Sequence, residues 1–306
     1  MRLVRWLFLR NPPIKMNKAI FFALSCVLSW SFIPVISKIA TADISPLQFL
    51  FLSNVLSAGM IGGLLFAWRH KIDGIFLQCK NALPATFLPG FLGCFFYYLC
   101  LYYGYSKANG IAVLVVQYLW PVLIVLLAPF ILGEKLTSRG GVAAACGFMG
   151  TVVVATKGDF TSFDTQSLPV LGIVFAGALA FALFSLLSKK VRCHTLVATF
   201  LFFVWASLLS LFALLLTTGV RLPSTRAAWL GLLLNGAIVN GLSYFWWLRA
   251  LQLEKVSRIA PLVFLTPILA CLWLVVFWGE TFYVSYAAGI LMCVAAGLIA
   301  SKAERI

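Results

Sequence analysis

Two stretches hold the side chains best suited to handling a solute: Gln117, Trp120 and Pro121 in one apolar run, and Asn240, Tyr244 and Trp247 in another. An amide both donates and accepts hydrogen bonds and an aromatic ring offers a stacking face, so such a set can hold a neutral or zwitterionic, planar solute without bearing charge itself. Asn240, Tyr244 and Trp247 fall at i, i+4 and i+7, one face of a helix, and Tyr98, Tyr102 and Tyr105 repeat that spacing in a third run. A fourth run supplies Trp30 and Ser31, with Pro34 one turn beyond Trp30. Pro34, Pro121 and Pro267 kink helices or free carbonyls toward a cavity. The plainer reading of the aromatics is packing or an interfacial belt, most of all for Tyr102 and Tyr105 near a helix end. Gln117 and Asn240 need partners in hydrocarbon whatever their role.

Other chemistry is excluded by where the charges fall. All eight acidic residues, Glu134, Glu254 and Glu280 among them, lie at the ends of apolar runs or between them, as do His70 and His194. A charge at mid-membrane costs at least about 3 kcal/mol, so one placed there usually has a function. With none placed there, a proton pump built on an intramembrane carboxylate is not expected, nor is a polycation site around a buried Glu. An enzyme would need a buried acid or base, or a nucleophile with its base, and the expectation is that this is not one. Of eight cysteines, Cys26, Cys94, Cys100, Cys146, Cys271 and Cys293 fall inside apolar runs, and no C-x-x-C or Cys/His metal-ligand spacing occurs. We expect small hydrophobic fillers, with no disulfide framework, metal or cofactor.

These residues must be positioned by membrane helices. The chain is 63% hydrophobic and 10% charged, against about 25% charged in soluble domains, so its solvent is the lipid bilayer. A net charge of +15 could suggest nucleic acid, but the basic residues cluster between apolar runs, and no nucleic-acid partner is expected. Spanning takes about 20 apolar residues, and such runs are placed at 18–39, 46–68, 84–105, 108–131, 140–157, 168–188, 195–217, 228–250, 257–278 and 283–301. Residues 1–17 form a basic tail with Arg2, Arg5, Arg10 and Lys15, either a short interfacial helix or a floppy segment, with Met16 as an alternative start. By alternate sides, 18 of the 23 lysines and arginines fall with the two termini, which places both termini in the cytoplasm.

The chain also repeats itself. Pro121 and Gly133-Glu134 recur 146 positions later as Pro267 and Gly279-Glu280, and Ser37-Lys38 matches Ser188-Lys189 with a slightly different shift. The fold expected is therefore all-α, ten transmembrane helices in two five-helix repeats, 18–157 and 168–301. An odd number of crossings turns the second repeat upside down. Inverted repeats let many carriers open to either side of one central site. Glu134 then lies at the cytoplasmic face and Glu280 at the outer face. In each, the glycine ends a helix and the glutamate caps or neutralises the next one, or else the glutamate gates by meeting a basic loop residue in one conformation only.

Ten helices as five plus five, with proline and then Gly-Glu closing helices 4 and 9, resemble EamA-type members of the drug/metabolite transporter superfamily over residues 18–301. Tyr118-Leu119-Trp120-Pro121 looks like the helix 4 motif of the bacterial aromatic amino-acid exporters. The resemblance implies a secondary carrier of the cytoplasmic membrane for a small neutral or zwitterionic metabolite, amino acids including aromatic ones. The alternative is a nucleoside-like or adenosyl solute such as S-adenosylmethionine, which related carriers import in host-dependent bacteria. Many members carry an Arg inside helix 2, whereas nothing basic lies here between Pro46 and Arg69, and Asn54 and Ser57 are the polar residues instead. The expected walls are Trp30, Tyr98, Gln117, Trp120, Asn240, Tyr244 and Trp247, with Pro34, Pro121, Pro267, Glu134 and Glu280 as kinks or gates. The expected state is a monomer, with a dimer as the alternative.

Overall fold

The computed structural model describes residues 18–33, 35–36, 44–108, 110–159, 168–279, 281 and 283–301. The basic tail with Met16, the first helix beyond residue 36, Pro34, Ser37, Lys38 and Glu280 lie outside the described residues.

Hydrocarbon offers backbone groups no water, so a spanning chain must satisfy them within itself, and a helix does so locally. Accordingly every long element is helical: α1 (Lys18–Ser31), α2 (Pro46–Ala67), α3 (Ile75–Lys107), α4 in two pieces (Gly110–Gln117 and Trp120–Leu132), α5 (Ser138–Ala155), α6 (Leu168–Ser188), α7 (Thr195–Leu216), α8 (Arg226–Leu253), α9 (Val256–Ile259, a 3-10 stretch Ala260–Phe264, then Leu265–Trp278) and α10 (Val284–Ser301). Eight of them, α2 to α9, are long and apolar enough to cross a membrane, while α1 and α10 are shorter apolar helices. Phe66, Phe130 and Val284 are 69%, 86% and 86% exposed, an outward apolar surface suited to lipid rather than water. The described acids Asp73, Glu134, Asp159 and Glu254 all sit outside the helices.

Local chemistry sets most boundaries. Ser45 and Gln48 cap the start of α2 reciprocally, and Pro46 occupies the next position, where its missing N–H costs nothing. Thr137 and Thr225 cap α5 and α8 through their hydroxyls. Gly133 and Gly279 end α4 and α9 in the left-handed region, at φ 69° and 66°, where glycine avoids the Cβ clash. One boundary differs from the sequence reading: α3 begins at Ile75, not near residue 84, and carries Pro84 inside it. The proline removes one backbone bond, to the carbonyl of Lys80, and Lys80 is exposed, so the helix survives the loss.

His194 caps α7, its Nδ1 accepting the Leu196 N–H at 3.3 Å. Burial, and secondarily the Arg249 guanidinium, hold this imidazole below its ordinary value of 6.5. A depressed folded-state value means stability is complete above pH 6.5 and declines as pH falls through the folded value. The melting temperature in detergent should therefore drop from pH 7.5 to 5 by more in the wild type than in His194→Asn, which caps without titrating; equal drops would refute it.

The helices pack in a pattern that exchange of the first five for the last five leaves nearly unchanged. Helix α3 lies on α6 as α1 lies on α8, α4 on α6 as α9 on α1, and α2 on α8 as α7 on α3, while α2 meets α7 and α5 meets α10. The α5–α10 contact is close because Gly150 and Gly289 face it; a Cβ on Gly150 would stand 3.0 Å from the Gly289 carbonyl oxygen. In that contact Cys146 donates to the Met292 carbonyl and Cys293 to that of Gly147, each pair 146 positions apart.

Candidate substrate site

Helices α3 and α8 each contain a π-helical stretch, Gly90–Phe96 and Asn235–Leu242. Such stretches insert an extra residue into the turn, rotate the rest of the helix and loosen the carbonyls around them, which is why they recur at functional sites. Two positions beyond their ends come Tyr98 and Tyr244, 146 positions apart, whose hydroxyls lie 3.2 Å from each other. Tyr98 donates to Asn240 Oδ1 at 3.3 Å, so it receives the Tyr244 proton, which also points at the Gly93 carbonyl 3.2 Å away. Glycine is required at 93, where a Cβ would stand 2.1 Å from the Phe184 ring.

A cluster of rings surrounds this pair. Trp30 of α1, Trp120 of α4, Phe181 of α6, and Tyr244 and Trp247 of α8 touch with centroids 4.7 to 6.1 Å apart, mostly edge to face. All five are buried. Trp247 donates to Ser185 Oγ at 3.0 Å, and Ser31 Oγ accepts from Trp273 Nε1 at 2.8 Å. Since the rings touch, a solute could lie among them only after they part.

Gln117 lies at the break in α4. Its Nε2 donates to the Tyr97 hydroxyl at 2.8 Å, and its Oε1 accepts from Tyr105 at 3.4 Å. Pro121 has no N–H, so the Gln117 carbonyl loses its helical donor; Pro267 does the same to Val263 within the 3-10 stretch of α9. Both prolines are buried.

At one end of the bundle the polar groups form a clasp. Glu134, just past α4, meets Lys189 Nζ at 2.6 Å and accepts the Val256 N–H of α9 at 2.9 Å, while Lys189 also donates to the Glu254 carbonyl at 3.1 Å. Arg258 pairs with Glu254 at 2.8 Å. The ends of α4, α6, α8 and α9 are thus joined, with a carboxylate set at a helix N-terminus where the dipole favours it.

The structure therefore brings Trp30, Tyr98, Trp120, Asn240, Tyr244 and Trp247 together, with Gln117 linked through Tyr97, whose ring lies 5.0 Å from that of Tyr98. Tyr105 is 45% exposed and bonds Gln117 rather than joining the centre. Sequence reasoning missed Phe181, Ser185 and Tyr97. Phe181 carried one faint signal: it stands to Trp30 as Ser188 stands to Ser37. Tyr97 carried none, because it lies off the face that Tyr98 and Tyr102 share.

A sequence model of the EamA-like transporter family matches residues 17–156 and again 168–301. The chain belongs to the EamA-like transporter family. As an EamA-like transporter it is a multi-pass protein of the cell membrane with a small-molecule substrate. The aromatic amino acid exporter YddG of Ancylobacter novellus is 26% identical over 263 residues, 85% of this chain and 88% of that one. The uncharacterized transporter YoaV of Bacillus subtilis (strain 168) is 24% identical over 261 residues, 83% and 87% of the two chains. A solved crystal structure, 21% identical, aligns with a TM-score of 0.81 over 92% of this EamA-like chain and 96% of its own, a likeness of fold.

Proposed function

We propose that this transporter is a secondary carrier working by alternating access, with 18–157 and 168–301 as inverted five-helix repeats and both termini cytoplasmic. Its solute is a small neutral or zwitterionic metabolite, an amino acid and aromatic ones included. One observation carries the reading: Tyr98 and Tyr244 meet at the centre of an uncharged cluster of rings and amides. Residues separated by the repeat length touch only near an axis relating the two halves, and a site on such an axis can be served from either end. The rings suit a planar solute, and the amino-acid class is supported by the name of the exporter to which the chain is similar. The Glu134–Lys189 clasp would hold the cytoplasmic end shut, and Glu280, its counterpart in sequence, would serve the outer end. With the described acids all outside the helices, transport by facilitated diffusion, by exchange, or with a coupling weak enough to need no buried carboxylate is expected.

The test is counterflow in proteoliposomes over a panel of amino acids and nucleosides, beside C-terminal reporter fusions in cells. Phenylalanine, tyrosine or tryptophan should accumulate into vesicles preloaded with the same solute, and the reporter should register in the cytoplasm. Nucleosides moving in their place would redirect the substrate assignment. No counterflow at all, or an external C-terminus, would overturn the mechanism or the topology.

A further inference from the structure

The two amides expected to grip the solute are already engaged, Gln117 with Tyr97 and Tyr105, and Asn240 with Tyr98. Asn54 of α2 is not fully engaged. Its side chain is completely buried, its Nδ2 donates to the Cys94 carbonyl at 3.4 Å, and its Oδ1 finds no partner among the described residues. Turning the amide over would set two acceptors against each other, so the free atom is the oxygen. Trp30 Nε1, buried in the ring cluster, is likewise without an acceptor among them.

The position of Asn54 ties it to the central pair. Cys94, whose carbonyl it holds, lies one turn before Tyr98 in α3. Ser57, the next residue on that face of α2, donates at 2.8 Å to the Gly236 carbonyl, one turn before Asn240 in α8. Helix α2 thus holds both π-helical stretches, and the carbonyl that Asn54 grips lies one residue from the Gly93 carbonyl that accepts from Tyr244.

We propose that Asn54 is the specificity-determining acceptor of the central site, reading an N–H group of the solute, with the Trp30 indole N–H as the matching donor to an acceptor on the same solute. The inference rests on the carrier reading above and deepens it. The chemistry selected is a nitrogen that still carries hydrogens, a primary ammonium or an exocyclic amine, beside a carboxylate, carbonyl or ring nitrogen. A neutral acceptor suffices because ring faces stabilise an ammonium without a counter-charge. A solute whose nitrogen is fully methylated presents no donor, and the acceptor is then buried unpaired, which is how polar sites reject analogues.

The experiment compares phenylalanine with its N,N,N-trimethyl betaine, and adenosine with N6,N6-dimethyladenosine, in proteoliposome counterflow. Wild-type protein should prefer the N–H member of whichever pair it moves by about tenfold or more. Asn54→Leu should bring that preference close to unity. Ser57→Ala, which removes a bond that only holds α8, should lower the melting temperature and leave the preference intact. If the wild type moves both members equally, the proposal fails whether or not Asn54→Leu folds. If Asn54→Leu folds and keeps the preference, the oxygen serves only a buried water and the proposal also fails. If neither pair moves, the choice of solutes under the carrier reading falls, and this inference falls with it.

Discussion

Trp120→Ala should be among the costliest single truncations of the central cluster. The indole is 3% exposed and touches Trp30, Phe181 and Trp247. Truncating a buried Trp to Ala costs about 3–5 kcal/mol in soluble cores. The transfer share of that figure is smaller where the unfolded reference is also apolar, but the cavity and the lost contacts remain. The melting temperature in detergent should fall, and Trp120→Phe should recover most of the loss. If Trp120 is a wall of the site, transport of aromatic solutes should fall about tenfold beyond that of aliphatic ones, the size expected from a lost stacking face. Aromatic and aliphatic transport declining in parallel with thermal stability would reduce the residue to packing alone.

The second large effect is expected at the clasp. Removing one partner of a fully buried ion pair costs about 3–5 kcal/mol. Here the side chains are 21% and 14% exposed, so screening lowers the expected cost of Glu134→Gln or Lys189→Met to roughly 1–2 kcal/mol. The two substitutions should be less than additive, since each removes the same contact. Cys193 reports on the opening, because it sits in the connection just after Lys189. Burial, and then nearby Cys79, push its thiol up to about 11, which makes it slow to alkylate. A clasp that holds this end closed predicts faster maleimide labelling of Cys193 in Glu134→Gln, read by peptide mass spectrometry, together with altered exchange kinetics. Unchanged labelling and unchanged transport in a folded Glu134→Gln would leave the pair a structural cap.

Much of this architecture was legible in the chain because hydropathy and punctuation are local. Long apolar runs require helices wherever water is absent, so the elements from Pro46–Ala67 to Val256–Phe277 are a consequence of composition, with an error where a proline mimics a boundary, as at Pro84. Gly133 and Gly279 marked two helix ends correctly, because a left-handed cap is a property of one residue. The helical spacing of Asn240, Tyr244 and Trp247 placed all three on a buried face, even though a π-helical stretch intervenes.

Partnership between helices was not legible. That Tyr244 meets Tyr98, that Phe181 stands at the middle of the rings, and that Glu134 chooses Lys189 depend on how the helices cross and how far each is rotated about its axis. Those rotations are set by tertiary events, among them the extra residue in each π-helical stretch and the close passage of Phe184 over Gly93. The same rotations engaged Gln117 and Asn240 with tyrosines and left the Asn54 oxygen free. Sequence could name the amides in the helices, because polarity belongs to the residue. Only the packed bundle could decide which one keeps an unspent acceptor, because a hydrogen bond belongs to a pair.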